Sequence, residues 1–448
     1  MTGERAAAGD VDPILEAVER AREPGAMSRV WQRAWRQWCG QKVKLEAEVL
    51  QTHYKPFRRA RLFVRVEVPK KSDRSRTRLR HLFVQLYGDA ESATRRLSDA
   101  ESRKRRLIRS RPPRFEIPEW QAIAWSLPEG PRLRVARSFL KRKAFLRFLE
   151  RNGLPEARIE RVEMPDLLRY VPRRRALFFW PRAASPAAGA VYIKVYAPGE
   201  DEPAAGNLGL LADARARNEL GFGVPELILH DPKRRAVLMS EVGGRPLTER
   251  LGKGDEQIQR TVGVALASLH RSSLRPRARW TPRSELWALA QACADIALAA
   301  PALKTRLDVL IEALEERAAA LEFEIDAPIH GNLFGDQILV DDGGLGVVDW
   351  DDLALGDPLY DLGRLMAHQL FVGLSREGEM AAVHREIAAL RRAYEAAAGT
   401  RADTSRLIWQ VATALLLRAK ISALRTLAPG WSEQLRTAVG EAERLLSI

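Results

Sequence analysis

Residues 330–351 read His330-Gly331-Asn332-Leu333-Phe334-Gly335-Asp336-Gln337-Ile338-Leu339-Val340-Asp341-Asp342-Gly343-Gly344-Leu345-Gly346-Val347-Val348-Asp349-Trp350-Asp351. Ile338–Val340 and Gly346–Val348 are short apolar runs that predict two strands. Asp341-Asp342-Gly343-Gly344 between them has the composition of a hairpin turn, because glycine tolerates the positive φ that tight turns require. Folding about that turn brings Gln337 and Asp349 to one end of the hairpin. An amide oxygen and a carboxylate oxygen then face a common point. Such a pair suits Mg²⁺, a hard cation that takes a few protein oxygens and completes its shell with phosphate and water.

The surrounding residues extend this pattern. Gly356-Asp357-Pro358-Leu359-Tyr360-Asp361-Leu362 follows the hairpin. Together these elements resemble the aminoglycoside phosphotransferase and choline kinase-like family, relatives of the protein kinases. That family carries His-Gly-Asp-x-x-x-x-Asn, a hairpin, Asp-Trp or Asp-Phe, and Gly-Asp-Pro-x-Tyr-Asp-Leu. The resemblance covers roughly residues 160–448. It implies an α+β, two-lobed protein-kinase-like fold with a small antiparallel β lobe and a large helical lobe.

It also implies roles. Lys194, a lone cation within Val191-Tyr192-Ile193-Lys194-Val195-Tyr196, matches the phosphate-binding lysine of the third small-lobe strand. Gln337 and Asp349 are the implied metal ligands, with glutamine in place of the usual asparagine, as in maltokinase-like relatives. Val237 to Leu247 matches the hinge, where backbone around Met239, Glu241 and Val242 would hold the adenine edge of ATP. Asn332 occupies the position of the catalytic aspartate. An amide does not take up a proton at neutral pH, although its oxygen accepts a hydrogen bond. Asn332 is therefore assigned to orienting the acceptor hydroxyl, with Asp336 and Asp351 as neighbouring carboxylates. Asp357 and Asp361 are read as structural, and His330 as a brace for the loop. Asp213 and Glu219 both fall in the helix expected to pair with Lys194, and the sequence does not choose between them. Arg173 and Arg175 stand where a glycine-rich phosphate loop would be. They are read either as phosphate contacts or as part of a solvated basic turn.

Outward from this core, the helical period marks Gln257–His270, Ser284–Ala299, Leu303–Leu321, Glu377–Ala398 and Thr404–Leu446. Leu266–His270 resembles the family's Leu-x-x-Leu-His helix. Residues 11–50 also read as helical, with Trp31, Trp35 and Trp38 as a core stripe. Val49–Val68 and His81–Tyr87 read as strands, Ser102–Arg114 as a basic loop or helix end, Ser138–Leu149 as a helix, and Leu210–Leu220 as the helix after Lys194. Tyr54-Lys55-Pro56-Phe57-Arg58-Arg59-Ala60 resembles Tyr170-Val171-Pro172-Arg173-Arg174-Arg175-Ala176, and Val84–Tyr87 resembles Ile193–Tyr196. Offsets of 116 and 109 residues fit either a duplicated three-stranded unit or two unrelated basic hairpins. The expected divisions are a basic N-terminal α/β cap at 1–155, a small lobe and hinge at 156–247, and a helical lobe at 248–448. Some related sugar kinases, maltokinase-type enzymes among them, carry such a cap.

Composition sets further limits. The chain has 448 residues, 46% hydrophobic and 29% charged, which is a globular composition. Cys39 and Cys293 are too few for a disulfide framework or a four-cysteine zinc site. The apolar stretch Val411–Leu417 is broken by Arg418 and Lys420, short of the ~20 residues of a membrane span. No basic-then-apolar leader is evident, so the expected location is cytoplasmic. The net charge is +15, and residues 51–150 hold 27 basic against 10 acidic residues. That front reads as a solvated basic face; nucleic acid is a weaker alternative, since no nucleic-acid motif accompanies it. The functional expectation is ATP- and Mg²⁺-dependent transfer of phosphate to a hydroxyl of a small molecule, a sugar or amino-sugar, with catalysis weakened by Asn332. The alternative is a pseudokinase, a nucleotide-binding or scaffold protein that transfers nothing.

Overall fold

The computed structural model describes residues 12–39, 44–69, 77–89, 91–92, 114–127, 136–159, 162–171, 174–182, 189–341, 344–376 and 378–447. Ser102 to Pro113, Arg173 and the turn residues Asp342 and Gly343 lie outside these segments, as does the side chain of Trp38.

Two antiparallel sheets open the chain. After α1 (Pro13–Arg22) and α2 (Ala26–Cys39) come β1 (Glu46–Lys55), β2 (Arg59–Pro69), β3 (Thr77–Leu86), β4 (Arg114–Ile117) and β5 (Ala122–Ser126). The helical reading of 11–50 thus overruns, since α2 ends at Cys39 and Glu46 already opens a strand. A short helix, Arg137–Leu140, and α3 (Arg142–Arg151) lead to β6 (Asp166–Val171), β7 (Arg175–Trp180), β8 (Val191–Tyr196), α4 (Asp201–Ala216), β9 (Leu227–Asp231) and β10 (Ala236–Ser240).

The two sheets have the same architecture. Their strand orders are β1-β2-β3-β5-β4 and β6-β7-β8-β10-β9. The register repeats as well. Leu62 faces Val84 as Phe178 faces Ile193. Leu86 faces Ala60 and Ala122 as Val195 faces Ala176 and Ala236. Ala122 faces Ile117 as Ala236 faces Asp231. The sequence offsets 116 (62 to 178) and 109 (84 to 193) are therefore offsets between paired registers, and 114 (122 to 236) holds for the last two strands. The shared strand order and these shared register positions fit the duplicated-unit reading, over five strands and not three. In this correspondence Gln85 stands where the second sheet has Lys194, so the first sheet lacks the cation.

Alternation along β2 and β3 explains how the cap is seated. Leu62, Val64, Leu82 and Val84 turn one way and are buried with Ile14, Val18 and Trp31 from the two helices. Phe63 and Phe83 turn the other way, toward Tyr170, Phe178, Trp180 and Ile193 of the second sheet. Phe139, Phe145 and Phe148 fill this layer: Phe139 lies 5.5 Å from Phe178, and Phe145 meets Trp180 edge-on at 5.1 Å. The cap also reaches the helical lobe. Tyr54 donates its N–H to the Arg425 carbonyl at 2.8 Å, and Arg22 donates to the Leu427 carbonyl at 2.5 Å.

The helical lobe comprises α5 (Glu256–Arg271), α6 (Pro282–Ala299), α7 (Lys304–Ala320), α8 (Pro358–Leu374), α9 (Met380–Ala398), α10 (Thr404–Ala419) and α11 (Trp431–Leu446). Three short pairings carry the site: β11 (Arg245–Pro246) with β13 (Ile338–Asp341), β13 with β14 (Gly344–Val347), and β12 (Ala327–Ile329) with β15 (Ala354–Gly356). The sequence reading missed α8. Its polar residues Asp361, Arg364, His368 and Gln369 are buried together with its apolar ones, so it lacks the solvent-facing side that marks a surface helix. The single helix expected over 404–446 is interrupted by a π-turn at Lys420–Leu424 and a left-handed Gly430. The segment Thr404–Leu424 is long and apolar enough to cross a membrane, but 72% of its most apolar window is buried inside the protein, as a core helix.

Phe178 is fully buried between the two sheets. Phe178→Ala is expected to cost about 3–5 kcal/mol. Denaturant unfolding followed by tryptophan fluorescence should show cap and small lobe shifting together in one transition.

Candidate active site

The hairpin forms as its composition predicts. Ile338 pairs with Val347, and Val348 donates its N–H to the Gln337 carbonyl at 2.9 Å. Gln337 and Asp349 therefore share one end. Asp349 follows the strand in the left-handed region, φ 69°. A non-glycine residue there is strained, which is common where a functional side chain must be aimed.

The small lobe meets this end from above. Lys194 Nζ donates to Asp349 Oδ1 at 2.5 Å and to Asp351 Oδ1 at 3.0 Å. Arg175 donates to Asp351 Oδ2 at 2.6 Å and lies 3.6 Å from Asp349 Oδ1. The Tyr196 hydroxyl donates to Asp351 Oδ1 at 2.8 Å. Burial opposes the charge on Lys194, but the carboxylates of Asp351 and Asp349 outweigh it and hold the ammonium above the usual lysine range. The same balance holds Asp349 well below the carboxylate range: burial opposes its ionisation, and Lys194 and Arg175 overcome that. Tyr196 is pushed up by burial and by Asp351.

Neither acid expected to pair with Lys194 does so. Asp213 is exposed, and Glu219 binds Arg217 and the N–H and hydroxyl of Ser273. The physical reason is that Asp349 and Asp351 already supply two charges to one ammonium. The buried face of α4 instead presents Asn207, whose Nδ2 donates to the Trp350 carbonyl at 2.9 Å. The parts of Asp351, Tyr196 and Asn207 in this cluster are not visible in the sequence. The one available signal is the acidic run Asp349-Trp350-Asp351-Asp352.

The loop below is held from inside. Asp361 accepts the N–H groups of His330 at 2.6 Å and Gly331 at 3.1 Å, and is also bonded to His270 Nε2 at 3.3 Å. His270 Nδ1 continues to the Tyr394 hydroxyl at 2.9 Å. His330 Nε2–H donates to the Val348 carbonyl at 3.0 Å, so this residue braces the loop. Asp357 caps α8 through the Leu359 N–H at 2.8 Å. Gly331 is obligatory: its φ is +79°, and a Cβ would lie 2.1 Å from the Asp352 carbonyl oxygen.

The remaining predicted residues are placed as follows. Asn332 is half-buried on the loop. Gln337 Oε1 accepts the Phe334 N–H at 2.8 Å, one of the two bonds a carbonyl oxygen can accept. Asp336 is bonded by Thr248 at 2.6 Å and Arg418 at 3.4 Å. Met239 is buried in β10 opposite Tyr192. Glu241 gives its N–H to the Ala190 carbonyl at 3.1 Å. Val242 lies over the hairpin, where a Cβ on Gly346 would come within 2.2 Å of its Cγ1. Of the two arginines, Arg175 enters the carboxylate cluster, and Arg173 is outside the described residues.

A strand lysine on an antiparallel lobe, facing an aspartate-bearing hairpin on a helical lobe, defines a kinase-like phosphotransferase architecture. The sequence model of the phosphotransferase enzyme family (APH) matches residues 186–407, and over those residues the chain is similar to that family. No curated protein matches. Among solved structures, the chain is similar to a choline/ethanolamine kinase family protein of Mesorhizobium loti, at 17% identity, 68% coverage of this chain and 95% of that one, TM-score 0.43. It is similar to a choline kinase of Streptococcus pneumoniae at 14% identity, 67% and 99% coverage, TM-score 0.45. It is also similar to an aminoglycoside phosphotransferase of Streptomyces rimosus, in complex with ADP and streptomycin, at 19% identity, 61% and 98% coverage, TM-score 0.41.

A double-mutant cycle tests the buried cluster. Asp351→Asn is expected to cost on the order of 1–3 kcal/mol with Lys194 present and clearly less in a Lys194→Met background, as measured by denaturant unfolding. Burial also raises Asp357 from 3.8 to about 6 against the pull of Arg406. The native state then binds a proton more tightly than the unfolded chain, so stability falls as pH rises from about 4 to about 6. In Asp357→Asn, whose side-chain oxygen still caps α8, that slope should flatten.

Proposed function

We propose that the protein is an ATP- and Mg²⁺-dependent phosphotransferase acting on a hydroxyl of a small molecule, a sugar or amino-sugar, with catalysis weakened by the amide at position 332. The observation that carries this reading is the convergence of Lys194 and Asp349 at 2.5 Å across the two lobes. A buried lysine held charged beside an ionised aspartate is the arrangement that nucleotide phosphates and their cation require. The family match over residues 186–407 supports the same reaction class.

The donor set fits a hard divalent cation. Asp349 is kept ionised, and the Gln337 amide oxygen retains a second lone pair. These two residues would hold the ion, which supplies charge neutralisation at the phosphates. Lys194 would release Asp351 to bind phosphate oxygens, and Arg175 would lend a second cation from β7. The hinge from Met239 to Val242 would hold the adenine. Asn332 would accept a hydrogen bond from the acceptor hydroxyl and fix its direction. Positioning and electrostatics supply most of the rate in phosphoryl transfer, so an amide there lowers activity without abolishing it. In this reading the cap at 1–155 carries no catalytic group, and the protein works in the cytoplasm.

Asn332 also favours a second reading, a nucleotide-binding protein that transfers nothing. Two measurements separate the readings. Mg·ATP is expected to raise the melting temperature of the wild type, and Lys194→Met and Asp349→Ala should lose that shift. Incubation with a mixture of small-molecule metabolites and ATP, followed by mass spectrometry, should yield a product heavier by one phosphate. Asn332→Asp is expected to raise the rate at least tenfold. Nucleotide binding with no product from either form would favour the second reading.

A further inference from the structure

The amide at position 332 leaves the loop without its own proton acceptor, and the neighbouring carboxylates differ in how they are engaged. Asp349 is bound by Lys194. Asp351 is bound by Lys194, Arg175 and Tyr196. Asp336 is bound by Thr248 and Arg418. Asp361 is fully buried and takes two loop N–H groups. Asp357 is fully buried as a helix cap.

Asp352 is different. It is exposed, and among the described residues its carboxylate has no hydrogen-bond or ion-pair partner. It is also placed against the loop. In the β12–β15 pairing, Ala327 faces Gly356, Pro328 faces Leu355 and Ile329 faces Ala354. Continuing that register sets Asp352 across from Gly331, the residue before Asn332. The contact is tight: a Cβ on Gly331 would lie 3.4 Å from the Asp352 Cβ. The residue before Asn332 thus packs against the backbone and Cβ of a residue whose carboxylate is exposed and, among the described residues, unpartnered.

We infer that Asp352 is a catalytic residue, the carboxylate that takes the proton of the acceptor hydroxyl in place of the aspartate missing at position 332. This rests on the phosphotransferase reading above. In the step, the acceptor oxygen forms a bond to the γ-phosphorus of the nucleoside triphosphate. The bond from that phosphorus to the β,γ-bridging oxygen breaks, and the nucleoside diphosphate leaves with the electron pair. The acceptor proton passes to an Asp352 Oδ and then to solvent. Asn332 accepts the hydroxyl's hydrogen bond on binding, and the hydroxyl turns that one proton to Asp352 as the bond to phosphorus forms, so the two residues act in succession on a task that one aspartate otherwise performs.

Water serves as the acceptor in a test that needs no knowledge of the natural substrate. Phosphate release from Mg·ATP is measured for the wild type, Asp352→Asn, Asn332→Asp and the double variant, alongside the thermal shift with Mg·ATP and the melting temperature of each. Asp352→Asn is expected to lower release at least thirtyfold with binding and melting unchanged. In the Asn332→Asp background, where the loop has its own acceptor, the same change should cost less than threefold. Equal release from wild type and Asp352→Asn, or an equal loss in both backgrounds, overturns the inference. Binding of Mg·ATP by the wild type without any release overturns it too. Absence of Mg·ATP binding by the wild type overturns the phosphotransferase reading itself, and the inference falls with it.

Discussion

A buried ammonium between two carboxylates holds this molecule in register. Lys194 comes from the small lobe, and Asp349 and Asp351 from the helical lobe, so one cluster ties the lobes together at the place where chemistry is proposed. Taking three charges out of water is costly unless geometry is close and the remaining bonds are made. Arg175 and Tyr196 make those bonds to Asp351. The rest of the site serves to hold the cluster's lower half still. Asp361 clamps the loop, Asn207 clamps Trp350, and the left-handed turn at Asp349 aims its carboxylate.

The cap adds a second constraint. It is a register-matched copy of the small lobe, stacked face to face on it through an aromatic layer and bonded also to the helical lobe through Arg22 and Tyr54. Gln85 stands at the register position that Lys194 holds in the second sheet. A body fastened to both lobes limits how far they can part.

Much of this was legible in the sequence because the deciding signals are local. The hairpin announces itself through glycines and aspartates between two apolar runs, and Lys194 through the family pattern that its strand resembles. Asp361 and Asp357 follow from their motif. What was not legible depends on contacts made far along the chain. Asp351 sits two residues from Asp349, yet its pairing with Lys194, Arg175 and Tyr196 spans more than 150 positions. Asn207 binds the Trp350 carbonyl while Lys194 takes its carboxylates from Asp349 and Asp351, which no pattern within α4 reveals. α8 went unrecognised because burial on all sides erases the period that marks a helix. The duplicated cap showed only as a short match of basic turns, since pairing register is conserved in space and not in residue type.

The Lys194–Asp349 pair is proposed as a nucleotide and cation site, closed by its own charges until phosphate enters. A crystal structure with Mg²⁺ and a non-hydrolysable ATP analogue tests it most directly. Lys194 Nζ is expected to have moved from Asp351 onto phosphate oxygens, with Asp349 and Gln337 on the ion and adenine against Met239 to Val242. Nucleotide bound elsewhere, or a Lys194–Asp351 contact unchanged with phosphate in the cleft, would contradict it.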